Sequence, residues 1–466
     1  MRDVRSRRLR RMSALAFGAL LLGAAPTCTV VRETGRNMNI FRVFLTVIAS
    51  ALFITAPAFA DTKVVRAARM IDVATGEVVS PATIIVRDGV IEAVNPEAIP
   101  EGAVVVDLGD RTLLPGVMDM HSHVTLDFFT GDHWTTAAVF ETPADWALYG
   151  VEFGRQMLEA GFTTVRDAGA WPGFPDIALM RAIEAGRVVG PRIIPAGHYI
   201  SITGGHCDVT GFAPGVMELG PNEGIANGAD EILRAIRYQA KHGAKVIKVC
   251  ATAGVFSKGD QPGAQQYSDH ELKTIVEEAT RHGLKVMAHA HGSEGILAAV
   301  KAGVASIEHG SMLTPEIIRE MRKRGTYYVP TIYLNDIPLP PDTPEWTVKK
   351  SEFLAPYVEK SFEMAVARGV NIALGTDVGV FRHDEAGKEF GAMVRRGMTR
   401  AHALRTATVN AADLLGVADR GQLKPGMLAD IIAVDGNPLE DISEMERVTF
   451  VMKGGDVIKQ PGAGTR

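Results

Sequence analysis

Leu113-Leu114-Pro115-Gly116-Val117-Met118-Asp119-Met120-His121-Ser122-His123 runs an apolar stretch straight into two histidines. Residues at i and i+2 of a strand point to the same side. Two imidazoles on one side of a strand end can therefore grip one metal ion. Four further potential ligands also close short apolar runs: Lys248 in Val246-Ile247-Lys248-Val249, His289 in Val286-Met287-Ala288-His289, His309 in Ser306-Ile307-Glu308-His309, and Asp377 in Ile372-Ala373-Leu374-Gly375-Thr376-Asp377. If these runs are parallel strands of one barrel, all six groups meet on one rim. The chain is then a candidate metal-dependent hydrolase.

The barrel is suggested by a junction that recurs. A helical pattern ends in a polar or small residue, then Gly, then a β-rich run, at Gly161, Gly243, Gly283, Gly303, Gly325 and Gly369. Gly just past a helix takes the left-handed conformation that closes the last turn. Repeats of this kind mean βα units and a parallel sheet. The spacing predicts strands over about 113–120, 162–167, 192–200, 244–250, 285–290, 304–309, 327–333 and 371–376, with helices such as 227–242, 268–282, 314–324 and 348–368. Eight such units suit an α/β fold of the (β/α)8 TIM-barrel type. An open doubly wound sheet is the alternative, but it would not bring the six groups together so naturally.

The flanks read differently. Residues 61–112 hold short strands with turns, and Asp88-Gly89 between two apolar runs signals a hairpin. The tail, 424–466, has the same style. Both ends are expected to form one small β-sandwich docked on the barrel, which spans 113–423.

The chain has 466 residues, 46% hydrophobic and 22% charged, enough for one large and one small domain. Its three cysteines are too few for a disulfide scaffold. A net charge of −5 gives no reason to expect nucleic acid. Residues 1–60 look like a leader. Met38-Asn39-Ile40-Phe41-Arg42 precedes an apolar stretch and Ala58-Phe59-Ala60, the layout of a secretory signal peptide starting at Met38 and cleaved before Asp61. Neither that stretch, Val43 to Ile54, nor the earlier one from Ala14 to Ala25 reaches the ~20 residues of a spanning helix. Cleavage removes nine Arg and two acids, which leaves −12 on an exported, periplasmic or secreted chain with no membrane partner.

Taken together, the six groups resemble the amidohydrolase superfamily, in the subtype with two metals and a carbamylated lysine. Leu114-Pro115-Gly116-Val117-Met118-Asp119-Met120-His121 and Leu423-Lys424-Pro425-Gly426-Met427-Leu428-Ala429-Asp430 are similar to that family too. The resemblance implies that His121, His123 and Asp377 hold one divalent ion, zinc in the first instance. It implies that His289 and His309 hold a second, and that the CO2 adduct of Lys248 bridges both. An ammonium offers only donors, so an unmodified lysine cannot ligate; a carbamate can span two ions ~3.5–4 Å apart. A metal-bridged hydroxide would attack an amide, with Asp377 as general base and then acid, and His291 beside the oxyanion.

Single residues have plainer explanations. Lys248 alone reads as a snorkelling surface lysine, and Asp377 after Gly375-Thr376 as a turn residue. Six such coincidences at six strand ends are improbable together. His206 in Thr203-Gly204-Gly205-His206, His291 two residues after His289, and Tyr333 at the end of strand seven are candidates to bind substrate.

Ser201-Ile202-Thr203-Gly204-Gly205-His206, Ala288-His289-Ala290-His291-Gly292 and Ser306-Ile307-Glu308-His309-Gly310 are most similar to the group labelled Xaa-Pro dipeptidase, which includes ochratoxin-hydrolysing amidases. This implies hydrolysis of a dipeptide or N-acyl amino acid, a cationic or polar subsite for its carboxylate, and a homo-oligomer, possible octamers included. The alternatives are a mononuclear deaminase, or a lactone or cyclic-amide hydrolase, on the same barrel; a non-catalytic scaffold would have lost ligands, and all six are kept.

Overall fold

The computed structural model describes residues 62–127, 137, 139–171, 173–341 and 343–462. The expected leader and Asp61 lie outside the described residues. Seven barrel strands are regular: β1 (Val117–Ser122), β2 (Phe162–Asp167), β3 (Arg192–Pro195), β4 (Val246–Cys250), β5 (Lys285–Ala290), β6 (Ser306–His309) and β7 (Tyr327–Val329). β1 to β3 form one parallel sheet and β4 to β7 another. Three parallel bridges join them into a ring. Ile200 pairs with Val249, Tyr328 with Ile372, and Ser122 with Val378, so residues 372–378 form the eighth stave. The TIM barrel expected from the junctions is the fold of the chain.

The helices follow the strands as the sequence predicts. Gly228–His242, Asp269–Arg281, Pro315–Arg324 and Glu345–Ala367 match the four read from periodicity. All six junction glycines have positive φ, from 66° at Gly369 to 112° at Gly243. Ser268 and Glu271 make a reciprocal cap at the start of Asp269–Arg281, which fixes where that helix begins. Leu272, Ile275 and Ala279 on its inner face are then buried against the barrel.

β4 and β6 begin two residues later than expected, and four larger differences each have a local cause. The first strand begins at Val117, not 113, because Thr112–Pro115 pairs with Ile431–Val434 in a different sheet. Gly116 is where the chain passes from one sheet to the other, packed so closely on Thr163 that a Cβ would lie 2.4 Å from its Oγ1. β3 stops at Pro195, and proline cannot donate to a ladder. β7 stops at Val329, before Pro330, and Ile332–Asp336 is a 3-10 helix. The eighth stave contributes bridges and loop hydrogen bonds instead of a regular ladder.

Outside the barrel lie two sheets. One orders Val90–Val94, Ala82–Arg87, Thr62–Ala67 and Val104–Asp107. The other orders Asp456–Lys459, Phe450–Lys453, Ile431–Val434, Thr112–Pro115, Arg69–Asp72 and Glu77–Val79, so it interleaves strands from both ends of the described chain. The hairpin at Asp88-Gly89 is present, with both residues at positive φ and Arg87 paired to Val90. One apolar cluster draws on both sheets, with Val65, Ile84 and Ile91 from the first and Ile431, Phe450 and Met452 from the second. Among the described residues no helix is long and apolar enough to cross a membrane.

Phe450 is fully buried in that cluster. Phe450→Ala should cost about 3–5 kcal/mol of stability by leaving a cavity. The urea midpoint followed by circular dichroism checks this, and an unchanged midpoint would mean that the two ends do not stabilise each other.

Candidate metal centre

The register of the barrel places the candidate ligands. β4 and β5 pair Lys248 with Met287 and Cys250 with His289; β5 and β6 pair Ala290 with His309. Lys248 and His289 therefore stand two rungs apart on alternating side chains that face inward, and His309 sits one rung beyond His289. All lie at the C-terminal rim, the face on which TIM barrels do chemistry. His121 and His123 reach the same rim from the end of β1, and Asp377 from the eighth stave.

Six predicted groups line one cavity. The ligand atoms of His121, His123 and Asp377 lie within 4.8 Å of one another. Asp377 Oδ1 is 3.4 Å from His121 Nε2 and 3.2 Å from His123 Nε2. Lys248 Nζ is 3.3 Å from His121 Nε2. The His309 ring centroid is 4.9 Å from that of His121 and 4.8 Å from that of His289. His289 Nε2 is buried with no hydrogen-bond partner among the described residues.

The tautomers follow from the partners. His121 Nδ1 donates to Glu308 Oε2 at 2.8 Å, and His123 Nδ1 donates to the Gly169 carbonyl at 2.9 Å; both oxygens can only accept. Each neutral ring then carries a lone pair on Nε2, and both lone pairs face the Asp377 carboxylate. Lys248 Nζ can donate to His121 Nε2, but His123 Nε2 against Asp377 is acceptor against acceptor, unfavourable in a dry pocket unless a cation lies between them. The orphaned His289 Nε2 makes the same demand. Imidazole and carboxylate donors suit zinc and similar divalent ions. The residues present therefore fit a metal centre.

Burial pushes the Lys248 amine down to about 8. Burial also depresses His289 and His309 well below the ordinary histidine range, helped by neighbouring cationic and imidazole groups. Asp377 goes the other way. Burial works to raise it, but positive charge beside it, on protonated imidazoles of His121, His123 and His309 or on a cation in their place, holds it well below the usual carboxylate range. His309 and Asp377 both have φ of 64°, and Thr331, whose Oγ1 lies 2.8 Å from His309 Nδ1, has φ of 48°. Such backbone costs of order 1–3 kcal/mol per residue and gathers at functional sites.

A layer of side chains behind the ligands was not singled out from sequence. Glu308, held by Arg166 Nη2 at 3.0 Å and by Ser306 Oγ, orients His121. Burial would raise the Glu308 carboxyl, and the Arg166 guanidinium brings it below its ordinary value. Asp119 takes the backbone N–H groups of His121 and Thr376, joining the first and eighth staves. Burial lifts it to about 7. Asp167 accepts from Val124 and Gly169, and so holds the Gly169 carbonyl beneath His123. A signal existed, since Glu308 stands beside His309 and Arg166-Asp167 closes β2.

The cavity above the ligands has a volume of about 260 Å³. Trp146, Tyr149, Trp171, Tyr199, Val255 and Phe256 give it apolar walls. His206 and His291 are on those walls, as expected. Tyr333 is not brought there. Glu389 captures the N–H groups of Ile332 and Tyr333, the chain coils, and the Tyr333 ring packs on Phe381 at 5.2 Å while Leu334 reaches the cavity. Among the described lining residues Lys248 is the one Lys or Arg, and His206, His291, Tyr149 and Tyr199 are polar groups available for the expected cationic or polar subsite. A disulfide joins Cys207, beside His206, to Cys250 at the end of β4, a cross-link that three cysteines alone did not signal.

The amidohydrolase family model matches residues 112–458. Ochratoxinase of Aspergillus niger is 36% identical over 420 residues, covering 84% of this chain and 85% of the relative. Its crystal structure superposes with a TM-score of 0.76 at 35% identity, over 87% of this chain and 97% of the other. A Xaa-Pro dipeptidase solved with methionine bound in the active site gives a TM-score of 0.80 at 36% identity, over 85% of this chain and 99% of the other. The barrel, the converging ligands and these matches have one conclusion: the chain belongs to the amidohydrolase family.

Proposed function

We propose that this hydrolase of carbon–nitrogen bonds cleaves the amide of a dipeptide or N-acyl amino acid at its C-terminal residue. The observation that carries the reading is the set of facing lone pairs on His121, His123 and Asp377 at the floor of an apolar cavity. The walls suit an aromatic or aliphatic acyl group, as in ochratoxin-type N-acyl-phenylalanine amides. A relative with methionine in its active site supports a free amino acid as product.

His121, His123 and Asp377 would hold one ion, His289 and His309 another, and Lys248 as a carbamate would bridge them. Bound zinc ions acidify water and polarise a carbonyl. Supporting the carbamate, burial moves Lys248 toward the neutral amine, the form to which CO2 adds. Asp377 takes the proton of the attacking water on a carboxylate oxygen and returns it to the leaving amine. His291, stacked on His309 at 5.1 Å, stabilises the charge that develops on the carbonyl oxygen. The apolar walls exclude bulk water, which strengthens each of these interactions.

The same reading extends to the rest of the chain. The two terminal sheets pack as a small β-sandwich formed from both ends. The chain is exported, with residues 1–60 removed, and an oxidising compartment suits the Cys207–Cys250 disulfide. It assembles into a homo-oligomer.

Three outcomes test these statements. A panel of dipeptides and N-acyl amino acids, offered to enzyme loaded with zinc and bicarbonate, should be cleaved; chelation or Lys248→Ala should abolish turnover and lower the metal content from two ions per chain. No cleavage across the panel, or an active and fully metallated Lys248→Ala variant, would overturn the reading, and one ion per wild-type chain would favour a mononuclear deaminase. Glu308→Gln should cost about 10–100-fold in metal affinity or activity, because His121 loses its orienting carboxylate. N-terminal sequencing of secreted protein should begin at Asp61; an intact Met1 or Met38 would refute cleavage.

A further inference from the structure

His206 is fastened more thoroughly than a residue that merely lines a wall. Its ring stacks on His289 with centroids 4.0 Å apart. Gly254 packs so close that a Cβ there would lie 2.3 Å from His206 Cε1 and 2.6 Å from both ring nitrogens. Its backbone N–H donates to Gln266 Oε1 at 3.0 Å. The next residue, Cys207, is cross-linked to Cys250. One further chain runs outward from the ring. His206 Nδ1 lies 2.9 Å from Ser257 Oγ, Ser257 Oγ lies 2.7 Å from Asp260 Oδ2, and Asp260 Oδ1 is paired with Lys350 Nζ. Lys350, on the helix Glu345–Ala367, also donates to the carbonyls of Gly254 at 3.3 Å and Ser257 at 2.5 Å. The Asp260 and Lys350 side chains are 15% and 11% exposed.

The direction of the proton follows from the inventory of donors. A serine hydroxyl has one hydrogen. Asp260, paired with an ammonium, is a carboxylate and can only accept, so the Ser257 hydrogen goes to Asp260. Ser257 Oγ must then accept, and the neutral His206 ring must carry its hydrogen on Nδ1. Nε2, the nitrogen left over on a ring that lines the cavity, is an acceptor.

We propose that Ser257, Asp260 and Lys350 are positioning residues that fix His206 as the Nδ1–H tautomer and present its bare Nε2 to a substrate N–H donor. The donor is an amide N–H or an amine, so this inference rests on the amide-hydrolase reading for its substrate. A histidine set the other way would offer a donor and favour a carbonyl or carboxylate. Ser257 and Asp260 lie on the loop after β4, His206 on the loop after β3, and Lys350 beyond β7, so the chain also ties three rim segments to one ring.

The test combines a spectrum with a double-mutant cycle. Two-bond 1H–15N spectra of the zinc-loaded protein, with the His206 signals assigned by their loss in His206→Gln, should show a protonated Nδ1 and an unprotonated Nε2. Ser257→Ala should remove that preference and lower kcat about 10–100-fold with little change in KM or metal content. Ser257→Thr, which keeps the hydroxyl, should restore kcat. In a His206→Gln background, Ser257→Ala should cost nothing more, because its effect passes through the ring. An Nε2–H tautomer, or losses that multiply in the double variant, would overturn the proposal. If no amide in the panel is cleaved, the functional reading falls and the spectrum alone decides the tautomer.

Discussion

Several imidazoles, one amine and one carboxylate share a dry pocket at the C-terminal rim of the barrel, and the one amine, Lys248, cannot satisfy all of their lone pairs. His121 and His123 spend their Nδ1 hydrogens on Glu308 and Gly169, which leaves both Nε2 lone pairs facing Asp377. His289 Nε2 has no hydrogen-bond partner among the described residues. Buried acceptors without donors are destabilising. A divalent cation between them turns that liability into coordination, and most of the surrounding structure can be understood as holding the groups in place for it.

The holding is done from behind. Arg166 and Ser306 fix Glu308, Glu308 fixes His121, and Asp119 ties the backbone of His121 to that of Thr376. Asp377 and His309 accept left-handed backbone to aim their side chains inward. Rigid strands and a dense polar layer allow this, because packed neighbours over-determine each strained residue. The cavity above has apolar walls over a floor of imidazoles, Lys248 and Asp377.

The sequence was most legible where chemistry and periodicity coincide. Gly243 and the other helix-ending glycines mark βα units because few residues other than Gly take φ near 112° without strain. His121 and His123 could be paired from spacing alone, since a strand alternates its faces. Tyr333 misled for a local reason. Pro330 and the carboxylate of Glu389 end the strand early, and that carboxylate comes from 56 residues away in the chain. Ser257 and Asp260 carried no signal, because their meaning depends on Lys350, some ninety residues further on.

By itself the sequence determined the βα order, the identity of the converging groups and the kind of metal chemistry that they permit. Local propensity and side-chain chemistry act over a few residues, and both are written in the order of the amino acids. Only the tertiary structure decided the tautomers of His121 and His123, the disulfide at Cys207, the passage of the chain between sheets at Gly116 and the side chains that reach the cavity. Each of these depends on distances between segments far apart in the chain, and the closing of the barrel is what sets those distances.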